Sequence, residues 1–179
     1  MIDVSIPEGD PVTEERRRST PTPDQLRVWR GFIETSEALR ARLAGQLQSD
    51  SSLSSGDYQV LLALSEAEGH TARSSELAAL IEWERSRLSH HLGRMEKRGL
   101  IRRVPCADGA HGVDVLLTDA GAEAFRAANV PHLRAIRALF VDALSPEQLA
   151  QVDDITAALQ ERLARDDSSR ELAPTRRPG

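Results

Sequence analysis

Residues 74–121 read SSELAALIEWERSRLSHHLGRMEKRGLIRRVPCADGAHGVDVLLTDAG. The start of this stretch predicts a short helix that Ser74 caps and that ends at Ile81, with Leu77 and Leu80 on its inner face. A three-residue break, Glu-Trp-Glu, separates it from a second helical pattern. Two helices across so short a break are typical of a helix-turn-helix.

The second helix is predicted from Arg85 to Arg98, and Gly99 ends it. Its apolar residues recur every three or four positions, so one side faces the core and the other faces solvent. Arginine binds guanine O6 and N7 in a bidentate manner, and Ser or His donates to phosphates, although an ordinary solvated face carries similar residues. We predict DNA contacts from the solvent side, namely Arg85, Ser86, Arg87, Ser89, His90 and Arg94.

A β-hairpin is predicted next, because residues 100–104 and 113–117 are rich in Leu and β-branched types and the segment between them contains Gly109 and Gly112. Helix, helix, break, helix and hairpin is the order of a winged helix, whose hairpin tip lies along the DNA backbone or in the minor groove. The predicted DNA contacts of the hairpin are Arg102, Arg103 and His111.

Long helices are predicted on both sides of the winged helix at residues 55–121. The first covers 23–48, and the C-terminal pair covers 119–165, with a bend expected at Pro131. Their apolar stripes exceed what one small core covers, so we interpret them as dimerisation helices; an intrachain core is the alternative. The predicted interface residues are Leu26, Trp29, Phe32, Leu149, Val152, Ile155 and Leu159.

The chain has 179 residues, which suits one domain, predicted at 23–165 between a disordered tail at 1–22 and a polar tail at 166–179. The fold class is mainly α with a small β-hairpin wing. A single Cys, Cys106, indicates a reducing compartment, and no targeting or membrane segment is visible, so a cytoplasmic protein is expected. The five His lack metal spacing and no phosphate loop or nucleophile elbow occurs, so we expect no metal, cofactor or enzymatic activity.

Charge is distributed unevenly along the chain. The formal net charge of −5 argues against a polyanionic partner. Between Glu82 and Arg103, however, seven cations face three anions, a net charge of +4, whereas Asp142–Glu171 carries −5. The local field of the basic segment is what a phosphate backbone meets, so the distribution favours a DNA partner.

The sequence resembles the MarR family of winged-helix regulators. The resemblance is carried by SELA at 75–78, RSRLS at 85–89, RMEKRGLIRR at 94–103 and LTDAG at 117–121. It implies a homodimeric transcriptional repressor that binds pseudo-palindromic operators in double-stranded DNA and releases them on binding a small-molecule effector. It also implies a ligand pocket, for which the candidates are Trp29, Arg30, Tyr58 and His132.

Four positions depart from the family pattern. Gly109 and His111 stand where the wing usually carries an Asp and an Arg, and Glu82 and Glu84 stand where the turn favours Gly and the cap favours Ser. Two hypotheses follow. At the turn, either DNA binding is weaker than usual, or Glu84 caps the recognition helix and the arginine side chains extend beyond the carboxylates to the DNA; we favour the second. The wing changes leave a separate alternative, a dimeric small-molecule or protein interaction module that has lost strong operator binding.

Two further residues are interpreted as structural. Trp83 is predicted to pack between the two helices of the motif rather than to bind a ligand. Cys106 is interpreted as an inert thiol at the base of the wing, because redox sensing requires an exposed thiolate with a lowered pKa.

Overall fold

The computed structural model describes residues 20–106 and 112–171, with side chains up to Asp166. The chain divides into two compact units, one ending at Ala44 and the other beginning at Gly45. Of the predicted N-terminal tail at 1–22, residues 1–19 lie outside the described residues, as do 172–179 of the predicted C-terminal tail.

Helix α1, Pro23–Ser51, begins in the first unit. Its start is a capping box: the Gln25 N–H donates to Thr22 Oγ1 at 3.3 Å, and the Thr22 N–H donates to Gln25 Oε1 at 2.8 Å. Pro23 takes the first helical position, where its missing N–H costs nothing. Trp29 and Phe32 are exposed on this helix.

The second unit contains the remaining elements in the order of a winged helix, and the predicted fold class is confirmed. A single 3₁₀ turn precedes β1, and a π-helical turn follows α5. The elements are α2 Ser55–Glu66, the 3₁₀ turn Glu68–His70, β1 Thr71–Arg73, α3 Ser74–Leu80, α4 Arg85–Lys97, β2 Ile101–Pro105, β3 Val113–Leu117, α5 Asp119–Ile136, the π turn Arg137–Val141 and α6 Pro146–Glu171.

The wing is part of a three-stranded antiparallel sheet, in which β3 lies between β1 and β2. Val115 pairs with Arg103 on one side and with Ala72 on the other. The predicted hairpin is therefore present, but β1 was not predicted. Three residues, Thr-Ala-Arg, are too short to show the alternation that indicates a strand.

The core of the second unit lies between α2, α3, α4 and the sheet. The three residues predicted on the inner side of α4, Leu88, Leu92 and Met95, are buried as expected, and burying each is worth about 1.5–3 kcal/mol. Leu80 was predicted inside but is 69% exposed. Helix α3 ends at Leu80, and its inward side is formed by the neighbouring Leu77 and Ala78.

Further details of the helices also differ from prediction. Helix α1 ends at Ser51, beyond the predicted boundary at 48. Ser74 is the first residue of α3 and Arg73 occupies the N-cap without a side-chain hydrogen bond, because β1 runs directly into the helix. Helix α5 continues through Pro131, and the irregularity comes later, at the π turn. Helix α6 extends to Glu171, beyond the predicted boundary at 165. Among the helices of the described ranges, none is both long and apolar enough to span a membrane.

The junction between α4 and α5 is closed by Thr118 and Gly121. Thr118 Oγ1 accepts from the Gly121 N–H at 3.0 Å and lies 2.6 Å from the Gly99 carbonyl and 2.9 Å from the Leu100 carbonyl, which share its proton. A Cβ on Gly121 would stand 2.0 Å from the Leu100 carbonyl oxygen. Only glycine allows this approach, which explains the Leu-Thr-Asp-Ala-Gly motif.

We predict that Gly121→Ala destabilises the protein by about 2 kcal/mol or more, because the added methyl displaces backbone rather than a flexible side chain. Gly45→Ala is the matched control, since that helical glycine has open space around its Cα. The control is expected to raise stability by up to about 1 kcal/mol through helix propensity. Urea denaturation followed by circular dichroism measures both; equal stability of the two variants would contradict the close approach.

Candidate nucleic-acid interface

The two ends of helix α4 are capped in different ways. At its C-terminus Gly99 has φ +74°, the Leu100 N–H donates to the Met95 carbonyl at 3.1 Å and the Gly99 N–H to the Glu96 carbonyl at 2.9 Å, as in a Schellman motif. At its N-terminus Glu84 occupies the cap, but its side chain makes no capping hydrogen bond. The expected capping by Glu84 is therefore wrong; shorter side chains reach those N–H groups more readily.

The outer side of α4 brings together the predicted contact residues of this helix. Leu88 and Leu92 are buried on the opposite side, so the amphipathic pattern is oriented as the spacing predicted. The exposed residues, called here the reading face, are Arg85, Ser86, Arg87, Ser89, His90 and Arg94.

Trp83 anchors the start of the reading face. The Arg87 guanidinium carbon lies 4.2 Å from the centroid of the indole ring, within the range of a cation–π contact. The same indole packs edge-to-face with the His91 ring, with centroids 5.1 Å apart and the ring planes at 84°. The ring also reaches α2, where a Cβ on Gly56 would stand 2.7 Å from it. Trp83 is packed against the core, as a structural residue, but the contacts described here join α4 to α2 rather than to α3, and the contact with Arg87 was not predicted.

Below the reading face lies a buried carboxylate, Asp57, which is 3% exposed. It forms an ion pair with Arg98 Nη1 at 2.7 Å and accepts from the Ser54 N–H at 2.9 Å. Burial alone would raise the pKa of Asp57, but the hydrogen bonds from Arg98 and Ser54 and the Arg98 charge outweigh it and hold the pKa below its usual value. The carboxylate is therefore ionised at neutral pH and connects α2 to the end of α4.

His91 lies between Asp57 and the reading face. Its Nε2 is 3.1 Å from Asp57 Oδ1, an electrostatic contact poorly aligned for a hydrogen bond. Its Nδ1 is 2.8 Å from Arg94 Nη2. Arginine only donates, so Nδ1 accepts and the ring proton resides on Nε2. Burial lowers the pKa of His91, with the attraction of Asp57 opposing, and the imidazole is neutral at pH 7.

Adjacent residues of a helix point to different sides, and here His90 is exposed and His91 is buried. The network around His91 was not predicted. Its one sequence signal is the pattern Ser54-x-x-Asp57, a capping box that the structure contains in full.

The hairpin arginines differ from each other. Arg102 is exposed. Arg103 is half-buried and bound to Glu96, with Nη2 at 2.7 Å and its backbone N–H at 2.9 Å from the carboxylate. Hydrogen bonds from Arg103 lower the pKa of Glu96. The guanidinium of Arg103 is thus engaged within the protein, and in the described part of the hairpin Arg102 is the predicted contact open to a phosphate.

The tip of the wing falls outside the described residues, and with it Gly109 and His111. At the base, Cys106 is buried and its Sγ donates to Asp114 Oδ1 at 3.2 Å. Burial of the thiol supports the interpretation of Cys106 as inert.

The four ligand-pocket candidates lie in different units. Trp29 and Arg30 belong to the first unit. In the second, the Tyr58 and His132 rings have centroids 4.6 Å apart, and the Tyr58 hydroxyl donates to Asn129 at 2.6 Å. Burial lowers the pKa of His132, and its Nδ1 is buried without a hydrogen-bond partner.

Within 20–106 and 112–171, no three His, Cys, Asp or Glu side chains are close enough together to hold a metal ion.

Comparison with known proteins identifies the family. A model described as the MarR family matches residues 51–110, from the end of α1 into the wing. The crystal structure of AbsC, a MarR family transcriptional regulator from Streptomyces coelicolor, is 34% identical, with a TM-score of 0.76 over 81% of this chain and 97% of AbsC. The chain belongs to the MarR family.

A second MarR family regulator from Streptomyces coelicolor, Sco3205, was crystallised in complex with DNA. It is 35% identical, with a TM-score of 0.76 over 80% of this chain and 94% of Sco3205. Sco5413, from the same organism, shares the fold at 16% identity, with a TM-score of 0.67 over 82% of this chain and 98% of Sco5413. No curated protein sequence matches this chain.

The MarR turn between α3 and α4 is strained in this chain. Glu82 has φ +55°, in the left-handed region that costs an L-residue about 1–2 kcal/mol. It is the position at which the family favours glycine. Within the described ranges, neither the Glu82 nor the Glu84 carboxylate has an ion-pair or hydrogen-bond partner, although the backbone of each residue is hydrogen-bonded.

We predict that Glu82→Gly raises the stability of the protein by about 0.5–1 kcal/mol, because glycine adopts a positive φ without a Cβ clash. Glu82→Ala removes the same carboxylate but keeps the strain, so it is expected to give no gain. Urea denaturation of both variants distinguishes strain from charge: equal gains would assign the effect to the charge.

Proposed function

We propose that the protein is a dimeric, sequence-specific DNA-binding transcriptional regulator, a repressor that a small-molecule effector releases from a pseudo-palindromic operator. The observation that carries the proposal is the reading face of α4, a set of exposed cationic and hydroxyl side chains on a helix that the rest of the winged helix holds outward. An α-helix fits the major groove of B-DNA, and Arg is its commonest reader of guanine.

The spacing of the arginines suits a short stretch of duplex. Arg87 and Arg94 are seven residues apart, which corresponds to about 10 Å along the helix axis. Successive base pairs are about 3.4 Å apart, so the two side chains span about three base pairs. Arg85 precedes them at the first turn, and Arg102 on β2 adds a cation for the phosphate backbone.

A related protein supports this function. Sco3205, 35% identical over most of both chains, was crystallised with DNA. The matched region in the family model, residues 51–110, includes the whole of α3, its turn and α4. The similarity thus covers the elements that carry the reading face.

We propose a dimer because both terminal helices expose apolar side chains. Large exposed apolar surfaces on a small protein mark interaction sites. A twofold dimer places two reading faces about 34 Å apart, one turn of the duplex. The exposed residues from the predicted interface are Leu26, Trp29, Phe32, Ile155 and Leu159, whereas Leu149 and Val152 are half-buried.

We propose the effector site at Tyr58 and His132, with Trp29 and Arg30 as further candidates from the first unit. The buried Nδ1 of His132, which has no hydrogen-bond partner, supports this choice, because an unpaired buried nitrogen is costly unless a ligand or water binds it.

We predict that Arg87→Ala and Arg94→Ala each weaken operator binding by about 1–3 kcal/mol and leave the fold intact. Affinity should fall steeply between about 50 and 200 mM salt as counterions are released. Fluorescence anisotropy with a duplex selected by the protein from its own upstream region measures both. Arg162→Ala, at an exposed arginine of the acidic α6, is the matched control and should bind as the wild type does.

The second candidate function is a dimeric interaction module that has lost strong operator binding. The unpaired carboxylates of Glu82 and Glu84 beside the reading face favour it, because they repel phosphates. A gel-shift separates the two functions. A salt-sensitive band supports the regulator, and its absence with all selected duplexes supports the module.

We predict that Leu159→Glu disrupts the dimer, because it places a charge in an apolar interface. Gln160→Glu adds the same charge at an adjacent polar position and is expected to leave the dimer intact. Sedimentation velocity at micromolar concentration measures the proportions of monomer and dimer. A Leu159→Glu dimer as stable as that of the wild type would exclude α6 from the interface.

A further inference from the structure

Two of the reading-face arginines, Arg87 and Arg94, are restrained by contacts that converge on one buried side chain. Arg94 donates to His91 Nδ1 at 2.8 Å. Arg87 lies over the Trp83 ring at 4.2 Å, and that ring makes an edge-to-face contact with His91. His91 itself is 7% exposed and cannot reach a base. It therefore touches the reading face from below.

We propose that His91 is a positioning residue for sequence-specific DNA recognition, which fixes the two arginines in the geometry that reads bases. The inference rests on the proposed function and deepens it. An arginine has five N–H donors in a rigid fork. One bond to His91 leaves enough donors for a bidentate contact with guanine, and it removes rotamers that would otherwise be lost on binding.

Asp57 determines which nitrogen of the His91 ring carries the proton, and so which nitrogen can accept from Arg94. The carboxylate lies 3.1 Å from Nε2, so the ring keeps its proton there and offers Nδ1 as an acceptor. Arg98 binds the other oxygen of Asp57 at 2.7 Å and holds the carboxylate in place. Gly56 allows the arrangement, since a Cβ there would stand 3.0 Å from His91 Cε1.

Protonation of His91 would break the arrangement. A proton on Nδ1 faces the Arg94 donor directly, and Arg98 and the Trp83-bound Arg87 are further cations nearby, with Asp57 as the opposing anion. Burial keeps the pKa of His91 below 6.5, so the neutral ring prevails at pH 7 and above. Its contribution is complete above pH 6.5 and is lost as the pH falls through the lowered pKa.

The test compares His91→Leu with His91→Asn. Leucine keeps the packing volume and removes both ring nitrogens, whereas the asparagine amide oxygen stands near the position of Nδ1 and accepts from Arg94. The readout is the specificity ratio, the affinity for a duplex selected by the wild-type protein divided by that for a scrambled duplex. The ratio cancels the charge attraction that all sequences share.

We expect His91→Leu to lower the specificity ratio by about tenfold and His91→Asn to retain it within about threefold. In a double-mutant cycle, Arg94→Ala should cost about tenfold in the wild type and much less in the His91→Leu protein. An unchanged ratio in His91→Leu, or equal costs of Arg94→Ala in both backgrounds, overturns the proposal. Should His91→Leu fail to fold, His91→Gln takes its place in the test. The longer glutamine amide reaches toward Asp57 rather than toward Arg94, so a specificity ratio for His91→Gln equal to that for His91→Asn overturns the proposal.

The pH profile separates positioning from simple packing. Between about pH 7.5 and about pH 5.5 the wild-type ratio should fall, and the His91→Asn ratio should change less, because the asparagine amide gains no proton in this range. His70→Asn is the matched control: it removes an exposed histidine of the 3₁₀ turn and should follow the wild type. Parallel profiles for wild type and His91→Asn overturn the proposal. Absence of any salt-sensitive complex with the wild type instead refutes the proposed function itself.

Discussion

The buried carboxylate of Asp57 is the interaction on which the rest of the site depends. An ionised group at 3% exposure is tolerated only with partners, and Asp57 has Arg98, the Ser54 N–H and the His91 ring around it. These partners come from the start of α2 and from α4. Removing one would leave a buried charge unpaired, which costs several kcal/mol, so the network specifies how α4 lies on α2.

The same network connects core and surface. Its outer member, Arg94, lies on the reading face, and its aromatic neighbour Trp83 supports Arg87. The cationic surface of α4 is thus a set of side chains held by a rigid polar interior. Preorganisation of this kind reduces the conformational entropy lost on binding. The neighbouring turn opposes DNA binding and stability, because Glu82 combines a strained backbone with an unpaired negative charge.

Much of the winged helix could be predicted from the sequence, because it depends on local rules. The spacing of Leu88, Leu92 and Met95 predicted the buried side of α4, and Gly99 predicted its end. Helices α1 and α6 likewise begin at local capping boxes, at Thr22 and at Ser145. Errors arose where local signals are weak, as at Leu80, the last residue of the short helix α3, and at β1, whose partner strand lies more than 40 residues later.

By itself, the sequence determined the order of the elements, the amphipathic sides of the helices and the concentration of positive charge on α4, since periodicity and composition act over a few residues. Only the tertiary structure decided which arginines are open and which are engaged. Arg102 is exposed while its neighbour Arg103 is bound to Glu96, and His91 is neutral while its neighbour His90 faces solvent. The reason is physical: hydrogen bonding, burial and pKa depend on groups that are distant in the chain and meet only when it folds.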